Sequence, residues 1–170
     1  MTATTTLTLG GLLTALIILI ANAHPWWTGN RQWTQISAFI KGFTAAACAA
    51  ACPGGILGWA HSRAGTVANG TGGRTATATT GTNAAAGLTS GQLAGLSATG
   101  AVIVVAAFTL VVLSYKAAGK QDKRRLIGGA YVGSVLCLTA GVAGALAWLP
   151  GALNAAGDGV VAAVDGAGIL

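Results

Sequence analysis

ATGAVIVVAAFTLVVLSYKAAGKQDKRR, residues 98–125, decides how this chain is read. Its first eighteen residues, Ala98–Tyr115, carry no charge and are rich in Val, Leu and Ala. A helix rises 1.5 Å per residue, so such a run spans most of the roughly 30 Å hydrocarbon layer of a bilayer. The ten residues that follow hold Lys116, Lys120, Lys123, Arg124 and Arg125, five of the nine Lys and Arg in the chain, against the single Asp122. A second charge-free run, LIGGAYVGSVLCLTAGVAGALAWL, then covers Leu126–Leu149. Two apolar runs joined by a short cationic link predict a transmembrane helical hairpin over residues 98–149, with a basic turn at 116–125.

Composition points the same way. Only 7% of the 170 residues are charged and 54% are hydrophobic. Soluble domains carry roughly a quarter charged residues. Too few charges exist to cover a water-facing surface, whereas lipid requires no polar cover. The expected fold is an all-α integral membrane protein with three to four transmembrane helices.

Upstream, Leu7–Ala23 is an uncharged run at the lower length limit for a span. It ends in Ala21-Asn22-Ala23, the small-x-small form of a signal cleavage site, but MTATTT before it lacks the usual cation. An uncleaved anchor is therefore favoured over a removed signal. Pro25 is expected to break this helix, and Trp26, Trp27 and Trp33 lie just beyond it. Tryptophans collect at membrane interfaces, so these three, with Trp59 and Trp148, read as interface anchors rather than as an aromatic cage. Ile36–Trp59 is long enough to span; Lys41 snorkels near one end and Pro53-Gly54-Gly55 kinks the other. The rival reading of that segment is a helix lying in the interface.

These features divide the chain into an N-terminal membrane region (1–60), a Gly/Thr/Ala-rich non-cytoplasmic loop (61–97), the hairpin (98–149) and an amphipathic tail (150–170). The 61–97 segment shows no apolar periodicity until near its end, which predicts a low-complexity loop. In the tail, Asp158 and Asp165 share one helix face. Lys and Arg collect in cytoplasmic loops, so the 116–125 turn is expected inside, with the 61–97 loop and the C-terminus on the far side. Arg31, at the Trp turn, favours four spans over three.

Two further features suggest contacts. The basic turn suits anionic lipid head groups or nucleic-acid phosphates, without sequence-specific reading. Gly129, Gly133, Cys137, Gly141 and Ala145 recur every four residues, with Gly128 and Gly144 widening the smooth face. Small residues permit close helix approach in lipid. The stripe seats this helix either against its hairpin partner or against another subunit.

Catalytic groups are missing from the pattern. His24 and His61 sit at span ends, no acidic residue lies within a span, and no P-loop, HExxH or dinucleotide fingerprint occurs. Cys48 and Cys52 lie one helical turn apart, too few for a zinc set and too strained for a disulfide, and Cys137 reads as a packing residue. No enzyme activity, metal or cofactor is expected, bound phospholipid apart.

The Ala- and Gly-rich composition suggests a GC-rich bacterial source. The span 98–115, the turn 116–125 and the span 126–149 together resemble the spread-type (Spd) membrane proteins of actinobacterial conjugative plasmids. The same hairpin is similar to conjugative pilins, in which a basic turn joins two apolar helices. Either resemblance implies a homo-oligomer, pore-, tube- or pilus-like, that helps DNA cross between cells without chemistry of its own. The implied partners are further copies of the chain, membrane lipid, DNA held nonspecifically, and other conjugation or secretion components. A phage holin-like pore former and an accessory subunit of a larger membrane complex are the alternative readings.

Overall fold

A computed structural model of the chain describes residues 6–29 and 31–167. Among these residues seven helices follow one another: α1 Leu9–Thr28, α2 Trp33–Ala50, α3 Gly55–Thr80, α4 Ala98–Ala117, α5 Lys120–Leu136, α6 Ala140–Ala145 and α7 Leu149–Gly166. Among the described residues extended pairing is limited to two isolated bridges, Thr8 with Gly87 and Ser90 with Thr139. Among the described residues two helices, α1 and α4, are long and apolar enough to cross a membrane; a third crossing exists if α2 and α3, bent by 109°, form one broken span.

The centre is a parallel pair, α2 beside α5. A Cβ on Gly129 would meet the backbone of Phe39, one on Gly133 that of Phe43 and the methyl of Ala46, and one on Gly42 the backbone of Leu126 and Ala130. Residue numbers rise together along the seam, which fixes the direction. The two backbones touch because glycine supplies no side chain to hold them apart. The outer helices are exchanged across this pair. On α1, Ile18 and Asn22 face Gly128 of α5, and the Thr14 hydroxyl lies 2.9 Å from the Tyr131 hydroxyl. On α4, Val104 is buried in a cluster with Ala47 and Cys48 of α2.

The chain repeats one unit twice. Thr8 caps α1, its hydroxyl accepting from the Gly11 amide at 3.2 Å; Ser97 caps α4, accepting from the Gly100 amide at 3.1 Å. Asn69 Oδ1 accepts from the Thr8 amide at 2.8 Å and from its hydroxyl at 3.0 Å, while Nδ2 donates to the Thr6 carbonyl at 2.8 Å. Asn154 makes the same three bonds, to the Ser97 amide at 2.8 Å, the Ser97 hydroxyl at 2.9 Å and the Gly95 carbonyl at 2.8 Å. Three residues after each Asn stands a glycine in backbone contact with the capped helix: Gly72 against Gly10 and Gly11, Gly157 against Thr99 and Gly100. Thus α1–α2–α3 corresponds to α4–α5–α7. The cores correspond too. Ala15 and Ala68 of the first half are buried with Val135 and Leu138 of the second; Val104 and Leu153 of the second are buried with Ala47, Cys48 and Ala51 of the first.

Several sequence expectations are corrected. Residues 61–80 are not loop but most of α3; only 81–97 is non-helical. Packing stabilises this helix: Gly65, Ala68, Gly72 and Ala76 form a buried small-residue stripe, and Gly72 brings it into backbone contact with α1. Thr71, Thr75, Thr79 and Thr80 each satisfy their hydroxyl on the carbonyl four residues earlier, at 2.8–2.9 Å, a bond that accommodates Thr within a helix without strengthening it. Pro25 does not end α1. It sits in the last turn, where its missing amide removes one bond only, and the Gly29 amide closes the helix on the Pro25 carbonyl at 3.1 Å.

Ile36–Trp59 is not one continuous span, because the chain bends between Ala50 and Gly55. Leu126–Leu149 is not one span either. The helix stops after Leu136, Thr139 caps the six-residue α6 by accepting from the Val142 amide at 3.3 Å, and Pro150 stands in the first turn of α7 rather than after a helix. The 98–149 hairpin exists in connectivity but not in packing, since α4 lies against α7 and α2 while α5 lies against α2 and α1. Of the 150–170 tail, residues 150–166 belong to α7 and 168–170 lie outside the described residues; Asp158 accepts from the Thr99 hydroxyl at 2.7 Å, which ties α7 to α4.

Candidate functional site at the basic end

The parallel α2–α5 pair brings two turns to one end of the molecule. One joins α1 to α2 and contains Arg31; the other, Ala118-Gly119, joins α4 to α5. Arg31 has a φ of 50°, in the left-handed region that non-glycine residues seldom occupy. Its guanidinium lies 5.1 Å from the centre of the Trp27 ring, and Trp27 packs edge-on against Trp26 at 6.3 Å. A cation over an aromatic face gains about 0.5–1 kcal/mol at an exposed site.

The predicted basic turn is shorter than its 116–125 span. Lys116 belongs to the last turn of α4, where a cation complements the helix dipole. Lys120, Lys123, Arg124 and Arg125 occupy the first turns of α5, where the dipole opposes them; Asp122 alone complements it. Gly119 precedes α5 without a side-chain cap, so the first amides of the helix have no side-chain acceptor. Free amides, a positive dipole end and crowded cations all favour an anion with several oxygens.

The five cations have different surroundings. Lys116, Lys120 and Arg124 are exposed. The Lys123 ammonium lies 5.4 Å from the centre of the Tyr115 ring. Arg125 turns inward, and its Nη1 donates to the Gln35 carbonyl at 2.7 Å, tying the two halves together. No Lys or Arg in the described residues lies within ion-pair distance of a carboxylate; Asp158 is engaged by Thr99 at the other end of α4. At the basic end, Trp26 Nε1 and Gln35 Oε1 are buried without hydrogen-bond partners among the described residues.

The small-residue stripe is divided. Gly129 and Gly133 are consumed inside the chain by α2, not by the hairpin partner α4. Cys137 is buried at the end of α5, whereas Gly141 and Gly144 face open space and Ala145 is exposed on α6. Trp27, Trp33, Trp59 and Trp148 are exposed, the first two at the basic end, the others where α3 and α7 begin. Sequence reasoning missed Asn69 and Asn154. The signal was present as Asn-x-x-Gly in Asn69–Gly72 and Asn154–Gly157, each paired with Thr/Ser-x-x-Gly at Thr8–Gly11 and Ser97–Gly100.

No protein-family model, curated protein or solved structure matches the chain.

Proposed function

We propose that this chain is a non-enzymatic, self-assembling membrane protein, a pore, tube or pilus-like component that aids conjugative DNA transfer. In this reading it crosses the bilayer three or four times, with the basic end cytoplasmic. The observation that carries the reading is the gathering of Arg31, Lys116, Lys120, Lys123 and Arg124 at one end, beside helix amides and apart from any carboxylate but Asp122. Such an end suits the sugar-phosphate backbone, which is recognised by charge and not by base sequence.

In this reading copies of the chain assemble around the DNA, because the seam between α2 and α5 is closed. Their backbones touch at Gly42 and Gly129, so a passage for DNA lies between copies, not through this pair. The outward faces of α1 and α4, with Leu13, Ile17, Ile20, Val105, Leu110 and Leu113 exposed, are left for lipid and neighbouring copies.

The test replaces Lys116, Lys120, Lys123 and Arg124 together by Gln and measures plasmid transfer between cells at equal protein level. Transfer is expected to fall at least roughly tenfold, since each lost phosphate contact weakens binding and flattens its salt dependence. Unchanged transfer refutes the phosphate role. Native mass measurement in detergent checks assembly: a ring or filament is expected, and a monomer selects the accessory-subunit reading instead.

A further inference from the structure

The internal repeat makes one asymmetry visible. In the second half the break after α5 is filled by α6. Its Ala143 is buried at 4% exposure, and the 81–97 linker lies against it, with the Gly91 amide donating to the Leu138 carbonyl at 2.9 Å and Ala140 donating to Thr89 at 3.1 Å. The first half has no counterpart of α6. Between α2 and α3 the chain turns in four residues, Ala51–Gly54, and leaves a cleft of about 850 Å³ between the elbow and the linker.

The lining of this cleft carries one cation and several polar side chains among Ala, Gly, Leu and Trp positions. Arg63, His61, Ser62, Thr66 and Gln92 contribute to it. Among the described residues no carboxylate lies within ion-pair reach of Arg63, whose guanidinium lies 5.6 Å from the centre of the Trp59 ring. That stacking pre-orients a planar fork suited to a phosphate. His61 Nδ1 is buried without a partner. The Ser62 and Thr66 hydroxyls already donate to the Trp59 and Ser62 carbonyls at 2.8 and 3.4 Å, which leaves Arg63, the Gln92 amide and the His61 ring as donors to a ligand.

The surface beside the cleft is apolar. Ile56, Trp59 and Val67 are 84%, 59% and 54% exposed and lie with Arg63 along one face of α3. Because α3 is bent 109° from α2, it runs close to the membrane plane if α2 crosses the bilayer. Arg63 thus stands beside exposed apolar side chains, where an acyl chain can lie next to a bound head group.

We propose that this elbow cleft binds the phosphate of an anionic phospholipid, with Arg63 as the principal contact and Gln92 and His61 as supporting donors. The site rests on the membrane reading above but not on DNA transfer. The occupied cleft takes the place that α6 fills in the second half, and so props the α2–α3 bend.

The test uses the full chain in mild detergent and native mass spectrometry with added phosphatidylglycerol, phosphatidylcholine or inorganic phosphate. Retention of phosphatidylglycerol over phosphatidylcholine is expected, and Arg63→Gln should lower it roughly tenfold, the loss of one charge-assisted bond. Arg74→Gln, exposed on the same helix, should leave it unchanged. Gln92→Leu, in the linker, should lower it several-fold without touching a helix, which guards against a folding defect in the Arg63 variant. Equal retention by Arg63→Gln and the wild type overturns the site, as does equal loss in Arg74→Gln. Arg63-dependent binding of inorganic phosphate without lipid retention overturns the lipid assignment. A protein monodisperse in buffer without detergent sinks the membrane reading, an outcome distinct from all of these.

Discussion

The guanidinium of Arg125 donates to the backbone carbonyl of Gln35 at 2.7 Å, a bond that joins the start of α5 to the start of α2 across the seam between the two halves. It separates one cation from the other four of its cluster: Arg125 holds the fold, while Lys116, Lys120 and Arg124 face outward and Lys123 lies over the Tyr115 ring. Arg125→Gln is expected to cost about 1.5–3 kcal/mol of unfolding free energy, the range for a hydrogen bond to a charged group. Lys120→Gln and Arg124→Gln should fall within about 0.5 kcal/mol of wild type. Denaturant titration in detergent distinguishes them; equal losses at all three positions would contradict the assigned division of labour.

The same end-to-end arrangement predicts accessibility. Single cysteines at Arg31 and Lys120 should react with a membrane-impermeant thiol reagent from the same side, and a cysteine at Gly54 from the opposite one. The wild-type chain is the background, since Cys48 and Cys137 are buried and Cys52 is half-buried. Labelling of positions 31 and 120 from opposite faces would be incompatible with a parallel α2–α5 pair.

Gly72 and Gly157 carry equivalent helix crossings, so they should respond alike. Gly72→Val and Gly157→Val push a side chain into the backbone of α1 and α4 respectively and are expected to cost about 1–3 kcal/mol each, or more where the helices cannot part. Gly70→Ala and Gly159→Ala, on the same helices but facing open space, should gain about 0.5–1 kcal/mol from helix propensity. Thermal unfolding of the four variants checks both halves of the repeat at once.

Asn69 and Asn154 should likewise be interchangeable in effect. Each Asn→Ala removes three hydrogen bonds around a helix N-terminus and is expected to destabilise by about 1–2 kcal/mol. The double variant should show nearly additive loss, because the two clamps share no partner. Amide hydrogen exchange at Gly11 should quicken only in the Asn69 variant, and at Gly100 only in the Asn154 variant. Asn→Asp retains the acceptor but not the donor and should recover part of the loss.

Sequence by itself determined the helical class, the two apolar helices α1 and α4, and the segregation of cations between α4 and α5. Each of these is set by the identity of residues within one segment. A run without charge is suited to lipid whatever it packs against, and Lys116 follows Tyr115 in any fold. The kink at Pro53-Gly54-Gly55 was legible too; tertiary structure decided which helices meet, that the chain bends between α5 and α7, and that 61–80 is helix. Packing here depends on Gly and Ala, which let backbones touch but leave no pattern of large apolar residues to show which partner is touched. Gly129 and Gly133 were legible as a contact surface, yet only α2, with Gly42 at the matching height, made them an internal one. The break after Leu136 has no proline to announce it. It is held by the distant Thr89 and Gly91 of the linker, which supply the backbone partners that a continuous helix would have found within itself.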